Sequence, residues 1–204
     1  MLIDHLIYSH PDLDVAVANI QERFGVRATG GGRHPGRGTH NKLLALGPGT
    51  YLEVIAPDPG QKEPERPRPY GVEGITRGRL AGWAIASDDI DAAVASARSR
   101  GFDPGEVVGG ERVTLAGIVL HWRLTANAQT AGLIPFLISW GASEHPSRDA
   151  PGGLELLGVW LEHPDPRSLE AALTALEVDV EVRPAPEPAI VARIAGRHGE
   201  QELR

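Results

Sequence analysis

The chain has 204 residues, 41% of them hydrophobic, enough to build an ordinary buried core in one large domain or two small ones. Its 27 acidic and 20 basic residues leave a net charge of −7 with no long block of one sign, which argues against a nucleic-acid or anionic-membrane surface as partner. Cysteine is absent, so disulfides, thiolate ligands and a cysteine nucleophile are excluded, and any metal chemistry falls to imidazole and oxygen donors.

The opening MLIDHLIYSHPDLD lacks the basic and apolar blocks of a signal peptide. No stretch reaches the ~18 apolar residues of a membrane span. A cytoplasmic location is expected.

In chain order, residues 5–8 read as a short strand, followed by an Asp-containing turn and an alanine-rich helix that ends at Gly25. Strand candidates follow at 26–30, 40–46 and 50–56, with the glycine-rich GGGRHPGRG at 30–38 read as a surface loop able to act as a flap. The Pro-rich 57–69 leads to a second strand at 83–86, a second helix ending at Gly101, and strands at 106–110, 117–124 and 133–140. After HPSRDAPGG at 145–153 come a strand at 159–161, a third helix, and the segments VDVEV, PAIVARIAG and EQELR, which supply two or three more strands.

The order repeats itself. Residues 2–20, 80–97 and 155–173 each hold a short apolar run, an Asp-containing turn and a helical stretch. Asp14 matches Asp91 at an offset of 77 and Leu44 matches Trp122 at an offset of 78, while His163-Pro164-Asp165 repeats His10-Pro11-Asp12. The expected architecture is α+β: a βαβββ unit over 1–58, a linker over 59–79, a second βαβββ unit over 80–141, a linker over 142–153, and a truncated third βαββ unit over 154–204. The first two units together form one domain, with helices on one face of each antiparallel sheet and a cavity on the other.

Strand alternation places the groups that line that cavity. His5 and Ile7 share a face, as do Tyr51, Glu53 and Ile55, and Asn41 and Leu43. In the second unit Trp83, Ile134, Phe136, Ile138 and Trp140 face inward. Leu120, Trp122 and Leu124 are read as a helix-packing face, which turns His121 and Arg123 into the cavity. A mostly apolar pocket with a few convergent polar groups is the usual build of a small-molecule site. Arg123 could clamp a carboxylate there or form a salt bridge at the sheet edge. His10 and His163, in the repeated turns, are read as turn residues.

Paired βαβββ units with the wording IDHLIYSHPDLD, GGRHPGRGTHNKLLALGPGTYLEVIAP and IPFLISWG followed by HPS resemble the glyoxalase-like members of the vicinal oxygen chelate superfamily. The resemblance implies a divalent metal, Fe, Mn, Zn or Mg, held in the curved sheet by residues on the first and last strand of each unit. Carried over residue by residue, His5 and Glu53 are the metal and catalytic residues of unit one. Trp83 and Phe136 occupy the corresponding positions of unit two, where neither can bind metal, so the ligand set is incomplete. Asn41, Trp83, His121, Arg123, Phe136, Trp140 and His40 are the expected substrate contacts, with His40 also a candidate third ligand.

Two functions follow: lyase, isomerase or dioxygenase chemistry on a small organic substrate, or metal-free sequestration of an apolar compound between Trp83, Phe136 and Trp140. The partner is a small molecule in either case, and the chain is a monomer or a homodimer.

Overall fold

The structure is a computed structural model that describes residues 2–114, 117–126 and 132–204. Its first unit runs β1 (Ile3–Ser9), α1 (Leu13–Phe24), β2 (Thr29–His34), β3 (Thr39–Ala45) and β4 (Tyr51–Pro57). The second runs β5 (Arg79–Ala86), α2 (Ile90–Ser99), β6 (Glu106–Val113), β7 (Val119–Ala126) and β8 (Phe136–Ser139). The third runs β9 (Glu155–His163), α3 (Arg167–Ala175), β10 (Glu181–Pro184), β11 (Ala189–Gly196) and β12 (Gly199–Leu203).

The helix ends carry the chemistry expected of them. Asp12 and Asp89 are the N-caps of α1 and α2, each accepting a hydrogen bond at 3.0 Å, from the backbone N–H of Val15 and of Ala92. Gly25 closes α1 in the left-handed conformation, at φ 75°. In both His-Pro-Asp turns the imidazole Nδ1 accepts the N–H of the aspartate two residues on, at 3.0 Å from Asp12 and 3.1 Å from Asp165, which makes His10 and His163 turn residues.

The first two units join through antiparallel pairing of β1 with β5 into one eight-stranded sheet, in the order β2-β3-β4-β1-β5-β8-β7-β6. Within each unit the last strand returns parallel to the first, β4 beside β1 and β8 beside β5. The sheet curls until its edges meet. A Cβ on Gly32 of β2 would stand 2.7 Å from the carbonyl oxygen of Val113 on β6. Such a half-closed barrel has an outer face for helices and an inner face for a ligand.

The third region departs from a truncated copy. It has three strands after its helix, and the strand directly after α3 is the one that lies parallel to β9, giving a separate sheet of order β10-β9-β11-β12. Its apolar face closes the core of the first two units. Leu161, Leu169, Leu173, Ile190 and Ile194 join Leu6, Ile20, Phe24, Leu52, Trp83 and Leu137 in one buried cluster, each such side chain contributing ~1.5–3 kcal/mol on burial. No helix among the described residues is long and apolar enough to cross a membrane.

The glycine-rich 30–38 segment is a hairpin rather than a loose flap: Arg33 pairs with His40 and His34 with Thr39 across a tight turn. Two of its glycines separate strain from contact. Gly31 and Gly30 both have positive φ, at 72° and 64°, but a Cβ on Gly31 would fall 2.2 Å from the carbonyl oxygen of Asn41, whereas one on Gly30 meets nothing within 4 Å. Gly30→Ala is expected to cost ~1–2 kcal/mol through backbone conformation alone. Gly31→Ala should cost visibly more in a denaturant titration. Equal losses would show that the hairpin gives way freely at Asn41.

Candidate functional site

The site begins with an interruption of strand regularity. Ile3 lies opposite Ile85 and His5 opposite Ala84, so β1 advances two residues while β5 advances one, and Asp4 is the extra residue of a β-bulge. Alternation would send Asp4 and His5 to opposite faces. The bulge instead lets them bond side chain to side chain, with His5 Nδ1 2.6 Å from Asp4 Oδ1.

Asp4 is only 1% exposed, and its other oxygen accepts from Trp140 Nε1 at 3.0 Å and from His145 Nε2 at 3.2 Å. The His145 ring is set for this, because its Nδ1 accepts the backbone N–H of Ser147 at 3.2 Å and leaves Nε2 as the donor. Burial alone would raise the Asp4 carboxyl pKa, but the hydrogen bonds from His145 and His5 outweigh it and hold the group well below the usual carboxylate range. A fixed carboxylate behind Nδ1 orients the imidazole and turns Nε2 into the cavity, as in metal-ligating and catalytic histidines.

Nε2 faces Glu53. The two stand 3.8 Å apart, Nε2 to Oε2, too far for a hydrogen bond and close enough to share one small group. Glu53 is 7% exposed, and its Oε1 accepts from Asn41 Nδ2 at 2.6 Å. The Asn41 carbonyl accepts the N–H of Gly32 at 2.9 Å, which fixes which end of its amide points at Glu53. His34 completes the polar cluster, with Nδ1 2.9 Å from Thr39 Oγ1 and Nε2 3.3 Å from Asn41 Nδ2 and 3.8 Å from Glu53 Oε1. Burial lowers the His34 pKa, so the ring stays neutral as an acceptor.

Aromatic rings wall the cavity. His5 stacks on Tyr51 at 4.7 Å between centroids and meets Phe136 edge-on at 5.5 Å. Trp122 and Trp140 lie 5.5 Å apart. Tyr70, from the segment between the units, stacks on Phe136 and holds a positive φ of 58°, a conformation that costs a non-glycine residue energy and that clusters at ligand sites. The cavity measures about 40 Å³, and with ~10–15 Å³ per water it takes a group of about carboxylate size. Leu43, Arg112, Trp122 and Trp140 also line a wider outer trough, so the cavity opens into it.

The comparisons agree with this architecture. The family model for the glyoxalase-like domain matches residues 3–177. The chain belongs to the glyoxalase-like domain family. Its fold is that of the vicinal oxygen chelate superfamily. A hypothetical protein from Staphylococcus aureus is similar to it at 18% identity, with 99% of this chain and 85% of that one covered and a TM-score of 0.66. Methylmalonyl-CoA epimerases from Streptomyces coelicolor (20% identity, 72% and 99% covered, TM-score 0.48) and Mycobacterium tuberculosis (18%, 70% and 88%, 0.45) are further neighbours. No curated protein matches the sequence.

Of the residues expected at the site, the glyoxalase-like cavity gathers His5, Glu53, Asn41, Phe136 and Trp140. Trp83 lies elsewhere, 1% exposed in the main core with its Nε1 donating to the carbonyl of Leu133 at 2.8 Å. The bulge at Asp4 shifts the repeat register by one, and Ala84 takes the place opposite His5. The faces of β7 are reversed as well. Trp122 and Leu124 line the cavity, while Arg123 pairs outside with Asp91 of α2 at 2.7 Å and His121 is largely exposed. His40 does not line the cavity, and His34, on the other strand of the hairpin, does.

Among the described residues no three His, Asp or Glu side chains converge to hold a metal ion. The donor types of His5 and Glu53 suit a divalent cation, with Asp4 in the supporting place behind the imidazole. Among the described residues the set stops at those two.

Proposed function

We propose that this glyoxalase-like protein is an enzyme of the isomerase or lyase type that moves a proton at a carbon beside a carbonyl or carboxylate of a small organic substrate. The observation that carries the reading is the pair Glu53 Oε2 and His5 Nε2, which face each other at 3.8 Å across the cavity with neither bonded to the other. A carboxylate held in place by Asn41 can take a proton from carbon. The imidazole beside it can donate to the oxygen on which negative charge then develops, and the buried Asp4 carboxylate stabilises the ring when it is charged. Alternatively, with His5 Nε2 unprotonated, His5 and Glu53 would hold a divalent cation, which when bound would supply positive charge to the substrate oxygen in place of the imidazole N–H. The aromatic walls exclude water from the exchange.

A test is to incubate the protein in D₂O with small 2-oxo and 3-oxo acids, with and without a chelator, and to follow the hydrogen beside the carbonyl by NMR. Catalysed exchange is expected. Exchange that the chelator abolishes and Mg²⁺, Mn²⁺, Fe²⁺ or Zn²⁺ restores would assign the cation its role.

The aromatic lining favours a second reading, capture of a ligand without reaction between Tyr70, Trp122, Phe136 and Trp140. Tight binding with no exchange under any of these conditions would select it over the enzyme.

A further inference from the structure

Arg112 stands on β6, the sheet edge that meets β2. The residue is 4% exposed, its side chain lines both the inner cavity and the outer trough, and no hydrogen bond or ion pair to it occurs among the described residues. Buried arginines are ordinarily paired, because taking a cation out of water without a counter-charge is costly. No buried side-chain nitrogen among the described residues is both sealed from solvent and unbonded, so the guanidinium nitrogens open onto the cavity space. Burial disfavours the charged form of Arg112, and the charge of Glu53 offsets this only in part.

Other donors point the same way. Arg37, in the hairpin turn, also lines the cavity and has no ion-pair partner among the described residues. The Tyr51 hydroxyl, on β4 two residues from Glu53, has no hydrogen-bond partner among them either. The site thus carries, beside Glu53 and the histidines, donors that have no partner among the described residues.

From the unpaired Arg112 at the junction of cavity and trough, we infer that the substrate is an organic acid whose carboxylate is held by Arg112, with Arg37 adding charge. The inference rests on the proposed proton-transfer reading and names its substrate class. The planar guanidinium offers a fork of donors that matches a carboxylate in two places. The inner cavity admits little beyond the acid and its neighbouring carbon, and any larger remainder extends along Trp122 and Trp140 into the trough. Placed so, the carbon beside the substrate's carbonyl, C2 of a 3-oxo acid or C3 of a 2-oxo acid, sits between the charge anchor and Glu53, the position from which a proton can be taken.

The test compares binding of pyruvate, 2-oxobutyrate and oxalate with that of pyruvamide and oxamide by calorimetry. Inorganic phosphate and sulfate serve as anions of another shape. The acids should bind and their amides should not. Arg112→Gln should weaken the acids by roughly 10- to 100-fold, and Arg112→Lys, which keeps charge without the fork, by less. Equal binding of acids and amides, preference for phosphate or sulfate, absence of binding by every acid, or unchanged binding by Arg112→Gln would each overturn the inference. Deuterium exchange is read separately. Exchange that survives without discrimination between acid and amide removes the anion site alone, and discrimination without exchange removes the proton-transfer reading alone.

Discussion

Replacing Asp4 by Asn is expected to destabilise the protein by about 3 kcal/mol, since removing one partner of a buried charged cluster leaves the others unsatisfied. Asp4 accepts from His5, Trp140 and His145 at once, and an amide can serve only some of these donors. For a chain of this size that corresponds to a fall of roughly 6–12 °C in melting temperature. The exposed Asp91 that pairs with Arg123 gives the contrast, because an ion pair in solvent contributes little. Asp91→Asn should leave the melting temperature unchanged. The pH dependence follows from the same carboxylate. Its folded pKa lies below the ordinary value of 3.8, so its contribution is complete above about pH 4 and is lost as the pH falls below that through the folded value. Acid unfolding should therefore begin at higher pH when His145→Ala removes one of the donors. A melting curve for Asp4→Asn that overlays the wild type at neutral pH would mean that the cluster around β1 contributes nothing.

Glu53→Gln should lower the rate of proton exchange by roughly 10²- to 10⁴-fold, the range general base catalysis contributes. The amide preserves the shape of the carboxylate, and one of its ends can still meet Asn41, so the fold should hold. Its other end cannot accept a proton from carbon. The replacement also removes one of the two donors for a cation, and adding Mn²⁺ or Zn²⁺ in excess separates the two effects. A rate that recovers with cation assigns Glu53 to binding the ion, and one that stays low assigns it to the proton.

Much of the scaffold can be read from residues near one another in the chain. Asp12 and Asp89 announce the helix starts, Gly25 the end of α1, and the two His-Pro-Asp turns repeat the same hydrogen bond. Alternation suffices where strands are regular, which is why Asn41, Tyr51 and Glu53 fall on the cavity side as expected. It fails at the bulges. The extra residue at Asp4, and the register shift where Ile7 faces Gly82 and Tyr8 faces Leu80, both break the period of two, and Trp83 consequently packs into the core. Two of the three partners of Asp4, Trp140 and His145, lie more than 130 residues away, after β8, where no local pattern signals them.

The remaining differences have the same origin. A run of glycines hides the β2–β3 hairpin, so His34, with its Thr39 and Asn41 contacts, is not recognisable from composition. Arg112 lies two residues past the end of the expected strand at 106–110 and becomes part of the site only because β6 curls round to meet β2. Tyr70 belongs to a Pro-rich connection with no periodicity, and its place over Phe136 is set by long-range packing. A repeat register transferred from unit one to unit two reverses β7, because Arg123 finds its partner on α2 and leaves Trp122 to the inner face.

The most direct measurement of the central claim is NMR detection of deuterium incorporation beside the carbonyl of a bound organic acid, run on wild type and Glu53→Gln under identical conditions. Incorporation catalysed by the wild type and reduced at least a hundredfold in the variant, with acid binding retained, is the predicted result. Equal incorporation by both proteins would contradict the assignment of Glu53 and, with it, the account of the site.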